Sequence, residues 1–339
     1  MKFGTKISTV RFEQINSYRN TSFKRNFTNW NPQASFNYKF SQYKTVGIDY
    51  NGNTSQPSID QINPVRINTD PLNISLGNPN LKPSFDNRIS ANYNSYRVVS
   101  GSGMWIGGSY GFTGQAIVSN TTTDTAGKSI YQSVNLNSKK PSNYYFYVDL
   151  SWKIRSMDMN TGLSVNSSGN SSYSYINGSL NKSTSSSYYG NIYFSKYKDK
   201  KYHGRISFGP TYKTNETSLQ KNINDNGWGL NSDASIGLQL PFKTEFATDA
   251  NYEYRAKTQS FNSDFKRLIW NARINKKFLK SEGLKLSLSV NDLLNQNKGF
   301  ERSAYNNMIT QNSYTTIKRY FMASIIWDFN KMGGDTAKK

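Results

Sequence analysis

The chain has 339 residues, no cysteine, one histidine and a formal net charge of +21 from 42 Lys+Arg against 21 Asp+Glu. The lack of cysteine excludes disulfides and thiolate chemistry, and no run reaches the roughly 18 apolar residues of a membrane-spanning helix. Hydrophobic residues make up only 35% while aromatics reach 14%, with 24 tyrosines; that balance suits a wall one residue thick, wet on one face and apolar on the other, better than a packed soluble interior.

The opening segment, MKFGTKISTVRFEQ, has no apolar stretch of the kind a secretory signal requires, so the chain is expected to be a mature, truncated or partial form. From there the recurring unit is a run of about 10–16 residues alternating apolar and polar, followed by a turn, which is the two-faced pattern of a β-strand. About fourteen such strands are predicted, to within several residues, near 3–18, 25–40, 43–54, 84–98, 104–119, 129–155, 160–174, 184–197, 200–216, 228–241, 245–258, 264–279, 283–296 and 313–330. In the plainest cases Tyr144, Phe146, Val148, Leu150, Trp152 and Ile154 share one face, as do Leu284, Leu286, Leu288 and Val290, with Lys285, Ser287, Ser289 and Asn291 opposite. The apolar faces are tipped with Tyr, Trp and Phe, as an aromatic girdle requires.

Short connections (41–42, 100–103, 156–159, 198–200, 241–244, 280–282) are set against long ones (56–83, 218–227, 297–312). That asymmetry matches bacterial barrels with short periplasmic turns and long outer loops, and an even strand count places both chain ends on the periplasmic side. The long stretch 56–83, QPSIDQINPVRINTDPLNISLGNPNLKP, holds five of the nine prolines and is expected to contain no strand, since proline removes ladder donors. The Ser/Asn/Gly-rich segment 166–187 reads as strand tips around a loop at 176–182. Residues 1–330 form a single predicted barrel unit and 331–339 a short polar tail.

Little in the sequence speaks for catalysis. His203, alone and without cysteine, offers no metal cluster or nucleophile–base pair; NDNG (224–227) lacks the ligand count and closing glutamate of a calcium loop. No phosphate-binding or nucleophile-elbow motif occurs. No cofactor and no enzymatic activity are expected. Trp228, Phe261, Phe300, Tyr305 and Tyr314 are candidate ligand contacts in outer loops, or members of the upper aromatic girdle. The cations are scattered singly, most densely in KYKDKK (196–201), with no basic helical stripe; this fits anionic lipid headgroups or an acidic solute, not nucleic acid. Lys153, Arg273 and Lys285 fall on polar faces and are candidate lumen charges.

The end of the long stretch, Gly77, Asn78, Pro79, Asn80, Leu81, Lys82 and Pro83, has an ordered logic: glycine for an unusual backbone, Asn-Pro to start a turn, Lys-Pro to leave extended. GNPNLKP resembles the loop-to-strand signature of TonB-dependent outer-membrane receptors. NWNPQASFNYKF (29–40), SLSVNDLLNQNKGFERSAYNN (287–307) and KRYFMASIIWDFNKMGG (318–334) are similar to further strands of that family, so the likeness covers essentially the whole chain. It departs in two respects: neither plug nor TonB-contacting segment is present, and Phe329 is followed by ten residues where a terminal aromatic is usual. The resemblance implies the C-terminal part of a 22-stranded barrel in the bacterial outer membrane, importing an iron chelate, cobalamin or oligosaccharide. The implied partners are outer-membrane lipid and lipopolysaccharide, the TonB complex only through a plug domain absent from this chain, and a surface lipoprotein. A closed, self-contained 14-stranded porin-like or hydrophobic-solute channel is the alternative; a soluble glycan-binding or adhesive β-module is a second.

Overall fold

A computed structural model describes residues 1–16, 21–64, 66–222, 224–279, 282–305 and 308–328. Tail residues 331–339 lie outside the described residues. The chain order is β1 (Lys2–Asn16), β2 (Thr21–Ser41), β3 (Lys44–Ser55), α1 (Ile59–Ile62), β4 (Arg66–Asp70), β5 (Asn73–Leu76), β6 (Ser84–Arg97) and β7 (Ser102–Gly114). It continues with β8 (Ala116–Thr123), β9 (Ser129–Leu136), β10 (Ser142–Ile154), β11 (Met159–Ile176), β12 (Ser179–Lys198), β13 (Tyr202–Thr217) and β14 (Gly227–Leu240). The last elements are β15 (Thr244–Arg255), β16 (Phe265–Phe278), β17 (Leu284–Asn291), β18 (Gly299–Tyr305), β19 (Met308–Tyr314) and β20 (Tyr320–Trp327).

Fourteen of these make a single antiparallel meander, β1-β2-β3-β6-β7-β10-β11-β12-β13-β14-β15-β16-β17-β20. The wall therefore has the predicted number of strands. It is barrel-like but open: among the described residues β1 and β20 each pair on one side only. The alternative of a closed 14-stranded barrel is thus not formed; among the described residues there is no β1–β20 ladder.

Register preserves the two faces across the whole wall. Ile48 pairs with Ala91, Ala91 with Gly108, Gly108 with Phe146 and Phe146 with Ser167. At the far end Ile274 pairs with Leu288 and Leu288 with Ala323. A slip of one residue within a ladder would invert every side chain beyond it; the wall's one irregularity among the described residues, between Lys39 and Ser41, falls at the very end of the β2–β3 ladder beside the turn and leaves the rows intact. The apolar face has nothing over it, with Leu288 49% and Ile325 74% exposed. The accessible surface is 22465 Å², against about 14,000 Å² for a compact soluble chain of this mass. A second protein layer over this face would have removed much of that excess. A β-sandwich, or any other soluble β-module with a second layer over this face, is excluded on this ground.

The remaining strands gather at the long-loop rim. β8 and β9 form a hairpin, β4 and β5 another, and parallel pairings of β5 with β9 and of β8 with β11 fasten both to the wall. Here sit the completely buried apolar side chains Ile62, Ile74, Leu81 and Leu136. The structure corrects the expectation that 56–83 holds no strand. Each proline does lie outside a strand, but the intervals between them are long enough for β4, β5 and the single turn α1, which Ser58 and Gln61 close as a capping box.

Three further corrections have local causes. The predicted strands 104–119 and 129–155 each break in two, at Gln115, whose φ is 50°, and at the SKKP run before β10. The predicted loop 176–182 is a two-residue turn, Asn177–Gly178, with φ of 47° and 77°; Asn-Gly is the preferred pair for such a hairpin, so β11 and β12 run on to meet at it. The predicted strand 313–330 begins only at Tyr320, because Ser313 and Tyr314 belong to the β18–β19 hairpin.

Candidate functional site

Where β13, β14 and β15 reach the long-loop rim, they end beside loops 218–226 and 256–264 and the β18–β19 hairpin. A cavity of about 130 Å³ opens there, lined among others by Lys213, Asp225, Trp228, Glu253, Arg255 and Arg302. Period-two alternation puts Lys213, Glu253 and Arg255 on the polar face, directly under the hairpin.

The cluster is built around two anchors. Glu253, nearly buried, takes Arg255 at 2.6 Å on one oxygen and Arg267 at 2.7 Å on the other. Arg267 also donates to the Lys298 carbonyl at 3.0 Å, tying the wall to the segment leading into β18. Arg302 is the second anchor. Its guanidinium lies 4.5 Å from the Phe300 ring centre and 4.9 Å from that of Phe261. It donates to the Ser263 carbonyl at 2.7 Å and hydroxyl at 2.9 Å. Phe300 in turn stacks on Phe265 at 4.7 Å with only 6° between the planes. Residues two apart on one strand, Phe300 and Arg302, thus share a face and clamp the hairpin onto loop 256–264.

Asp225 stands in the loop wall of the same cavity, accepting a hydrogen bond from the Thr258 hydroxyl at 3.2 Å. Burial pushes its carboxyl above the ordinary aspartate value, against the Thr258 bond and the charges of Lys213, Arg255 and Arg302. Desolvation likewise lowers Arg302 below the usual guanidinium range. Among the described residues Lys213, Arg255, Arg267 and Arg302 outnumber Glu253, Asp225 and Asp264, so the mouth is net positive. Its chemistry suits an anion with a flat or hydroxylated body. In the same loop, Asn224 and Asn226 spend their side chains on turn bonds, Asn226 accepting from the Asn215 N–H at 2.6 Å and donating to Glu216 at 3.0 Å.

Of the sequence candidates, Phe300 and Phe261 are in this cluster. Trp228 borders it, but its ring is 64% exposed on the apolar face and rests on Tyr212 at 4.8 Å, the position of a girdle residue. Tyr314 covers Gly299 at the hairpin's far end, where a Cβ would fall 2.2 Å from its ring. The side chain of Tyr305 lies outside the described residues. Lys153 is on the polar face but pairs with Asp158 at 2.6 Å at the short-turn rim, away from the mouth. Arg273, across from Ala247 and Ser289, is on the polar face partway down the wall, and Lys285, across from Lys277 and Ile326, is on the same face close to the short-turn end of β17. His203 lies flat over Gly237 near the short turns. Sequence reasoning found the aromatics and missed Arg302, Arg255 and Glu253. The detectable signal was the alternation Phe300–Arg302 beside an acidic and basic pair at Glu253 and Arg255.

Asp225→Asn should strengthen binding of an anionic probe such as citrate at neutral pH by roughly fivefold, the ~1 kcal/mol of a partly exposed charge. The sign follows from the raised carboxyl. The native protein loses this negative charge as pH falls through the raised value, so its affinity rises toward that of the variant on acidification, citrate's own protonation being common to both. Isothermal titration at several pH values checks both.

The model of the outer membrane protein beta-barrel family matches residues 1–195 and 170–327. No curated protein matches the sequence. Among solved structures the chain is similar to a mutant ferric enterobactin receptor from Pseudomonas aeruginosa in complex with enterobactin, at 7% identity and a TM-score of 0.47. The alignment covers 88% of this chain and 44% of that one, so the chain spans less than half the length of that receptor.

Proposed function

We infer the function from one premise: the chain belongs to the outer membrane protein beta-barrel family. It is a bacterial outer-membrane β-barrel protein, and its general role is transport across that membrane. The finer reading we propose is the barrel portion of a TonB-dependent receptor that imports a nutrient such as an iron chelate, cobalamin or oligosaccharide. In this reading the apolar face meets hydrocarbon, the polar face lines the lumen, and the long-loop rim faces outward toward lipopolysaccharide. The chain makes and breaks no bonds. Outer loops capture the solute, a plug segment links it to the TonB complex, and a surface lipoprotein assists capture.

The observation that supports this reading most is the net-positive mouth clamped by Arg302 and Glu253 at the long-loop rim. The alternative of a small self-contained channel needs β1 against β20. A wider barrel instead supplies partners for both edges, and unpaired backbone in hydrocarbon costs several kcal/mol per group. Uptake of a labelled ferric chelate, cobalamin or oligosaccharide by cells with and without this gene tests the reading. Loss of uptake that TonB inactivation reproduces supports it; uptake indifferent to TonB overturns it.

The lumen charges make a separate expectation. Arg273→Glu combined with Lys285→Glu should shift the ion selectivity of the reconstituted protein in planar bilayers toward cations. An unchanged reversal potential would remove these two residues from the solute path.

A further inference from the structure

Charges on the apolar face are distributed unevenly. Following the pairings strand by strand, Lys44, Arg97, Lys196, Lys198 and Lys276 fall on that face in its half toward the short turns. Among the described strand residues no Asp or Glu shares that half-face; Glu245, for example, pairs with Asn275 and belongs to the polar face. Glu13 and Glu216, which do share the apolar parity, stand at the opposite, long-loop end.

Two of these cations lie against rings. Lys44 lies 5.7 Å from the Phe40 ring centre and Lys276 5.5 Å from that of Phe242. Phe40, Trp152, Phe242 and Trp327 are all exposed on the same rim. The nearby turn carboxylate Asp158 pairs with Lys153 at 2.6 Å and also feels the charges of Lys196 and Lys198, so one carboxylate is shared among three lysines, and Asp199 accepts the Tyr197 hydroxyl at 3.1 Å. Lys196 and Lys198 project from neighbouring same-face positions of β12, two residues apart. Aromatic rings mark the headgroup level of a bilayer, and cations at that level attract anionic headgroups.

We propose that the short-turn rim is a binding belt for the phosphate headgroups of anionic phospholipid, with Lys196 and Lys198 at its centre and Lys44, Arg97 and Lys276 extending it. The belt fixes the depth and orientation of the wall from its periplasmic side. It rests on the membrane-spanning reading but not on the transported solute, so a negative uptake experiment leaves it standing.

The test uses the full chain reconstituted in bilayers of equal parts phosphatidylglycerol and phosphatidylcholine, with retained lipid counted by native mass spectrometry. Phosphatidylglycerol should be retained in preference. Each lysine near an anionic surface contributes about a fivefold preference, so Lys196→Gln with Lys198→Gln should reduce it roughly tenfold or more, while Lys196→Arg with Lys198→Arg keeps it. Heat-modifiable migration reports whether each variant is folded. A second measurement needs no variant: the wild-type preference should collapse at ~1 M salt, where screening extends to about 3 Å. Equal retention of both lipids, a preference that survives the Gln variant, or one that survives high salt overturns the proposal. Displacement by inorganic phosphate at constant ionic strength would also overturn it, identifying a soluble-anion site in place of a lipid one.

Discussion

Leu288→Arg should lower the stability of the lipid-inserted protein by about 2–4 kcal/mol, while Ser289→Arg, one residue later on the same strand, should change it by less than about 0.5 kcal/mol. The two positions differ in face, and the small cost at Ser289 includes the like-charge contact with Arg273 across the ladder. Leu288 pairs with Ile274 and Ala323 in the apolar row, and Ser289 with Arg273 and Met322 on the polar side. In water the expectation would be different: Leu288 is 49% exposed, and an exposed leucine exchanged for arginine is nearly neutral. The cost arises only if hydrocarbon replaces water on that face. Urea titration of the two variants refolded into phospholipid vesicles, followed by tryptophan fluorescence, measures the difference. Equal and small effects at both positions would mean that no lipid touches the apolar row, and the membrane reading would fall with it.

The same alternation explains why so much of the wall was legible. Period two is a local signal, and a single-layer sheet leaves no tertiary packing to override it. Tyr144 to Ile154 and Leu284 to Val290 therefore read correctly from residue types alone. What failed was non-local. Nothing in the sequence near 115 marks the positive φ of Gln115 that ends β7, since glutamine has no preference for that conformation. The strands β4 and β5 were hidden because their stability comes from β9, more than fifty residues away, through a parallel ladder that no hairpin signal announces. Asn177–Gly178 was legible and was masked by the Ser/Asn-rich strands around it. At the mouth, Phe261 and Phe300 were legible as aromatics between wall strands, though Phe261 proves to be buried. The Arg302 clamp depends on loop 256–264 folding back to present Ser263 and Phe261, which only the chain path reveals. Whether β1 meets β20 is a matter of curvature, and the strand pattern says nothing about that.

Leu81→Ala should loosen the long-loop cap by about 2–5 kcal/mol without unfolding the wall. Leu81 is 0% exposed, and the GNPNLKP segment around it is bonded along β9. The Gly77 carbonyl accepts from Gln132 at 3.3 Å, and Asn78 donates to the Ser133 carbonyl at 2.9 Å. Lys82 exchanges hydrogen bonds of 2.8 and 2.9 Å with the Asn135 side chain. Gly77 is required here for close approach, not for a left-handed backbone: a Cβ would lie 1.6 Å from the Asn63 carbonyl oxygen. Asn78 also accepts from the Asn80 N–H at 3.0 Å, setting the turn through Pro79. These polar bonds fix position, but each contributes only about 1 kcal/mol net, whereas an emptied leucine site forfeits both transfer and packing energy. The cap should therefore open locally while the fourteen wall strands, held by their own continuous ladders, stay paired. Limited proteolysis should cut the variant within 56–83 and 115–141 much faster than the wild type, with heat-modifiable migration unchanged. Equal resistance would show that the backbone bonds alone hold the segment, and simultaneous loss of heat-modifiable migration would show that the cap and the wall fold as one unit.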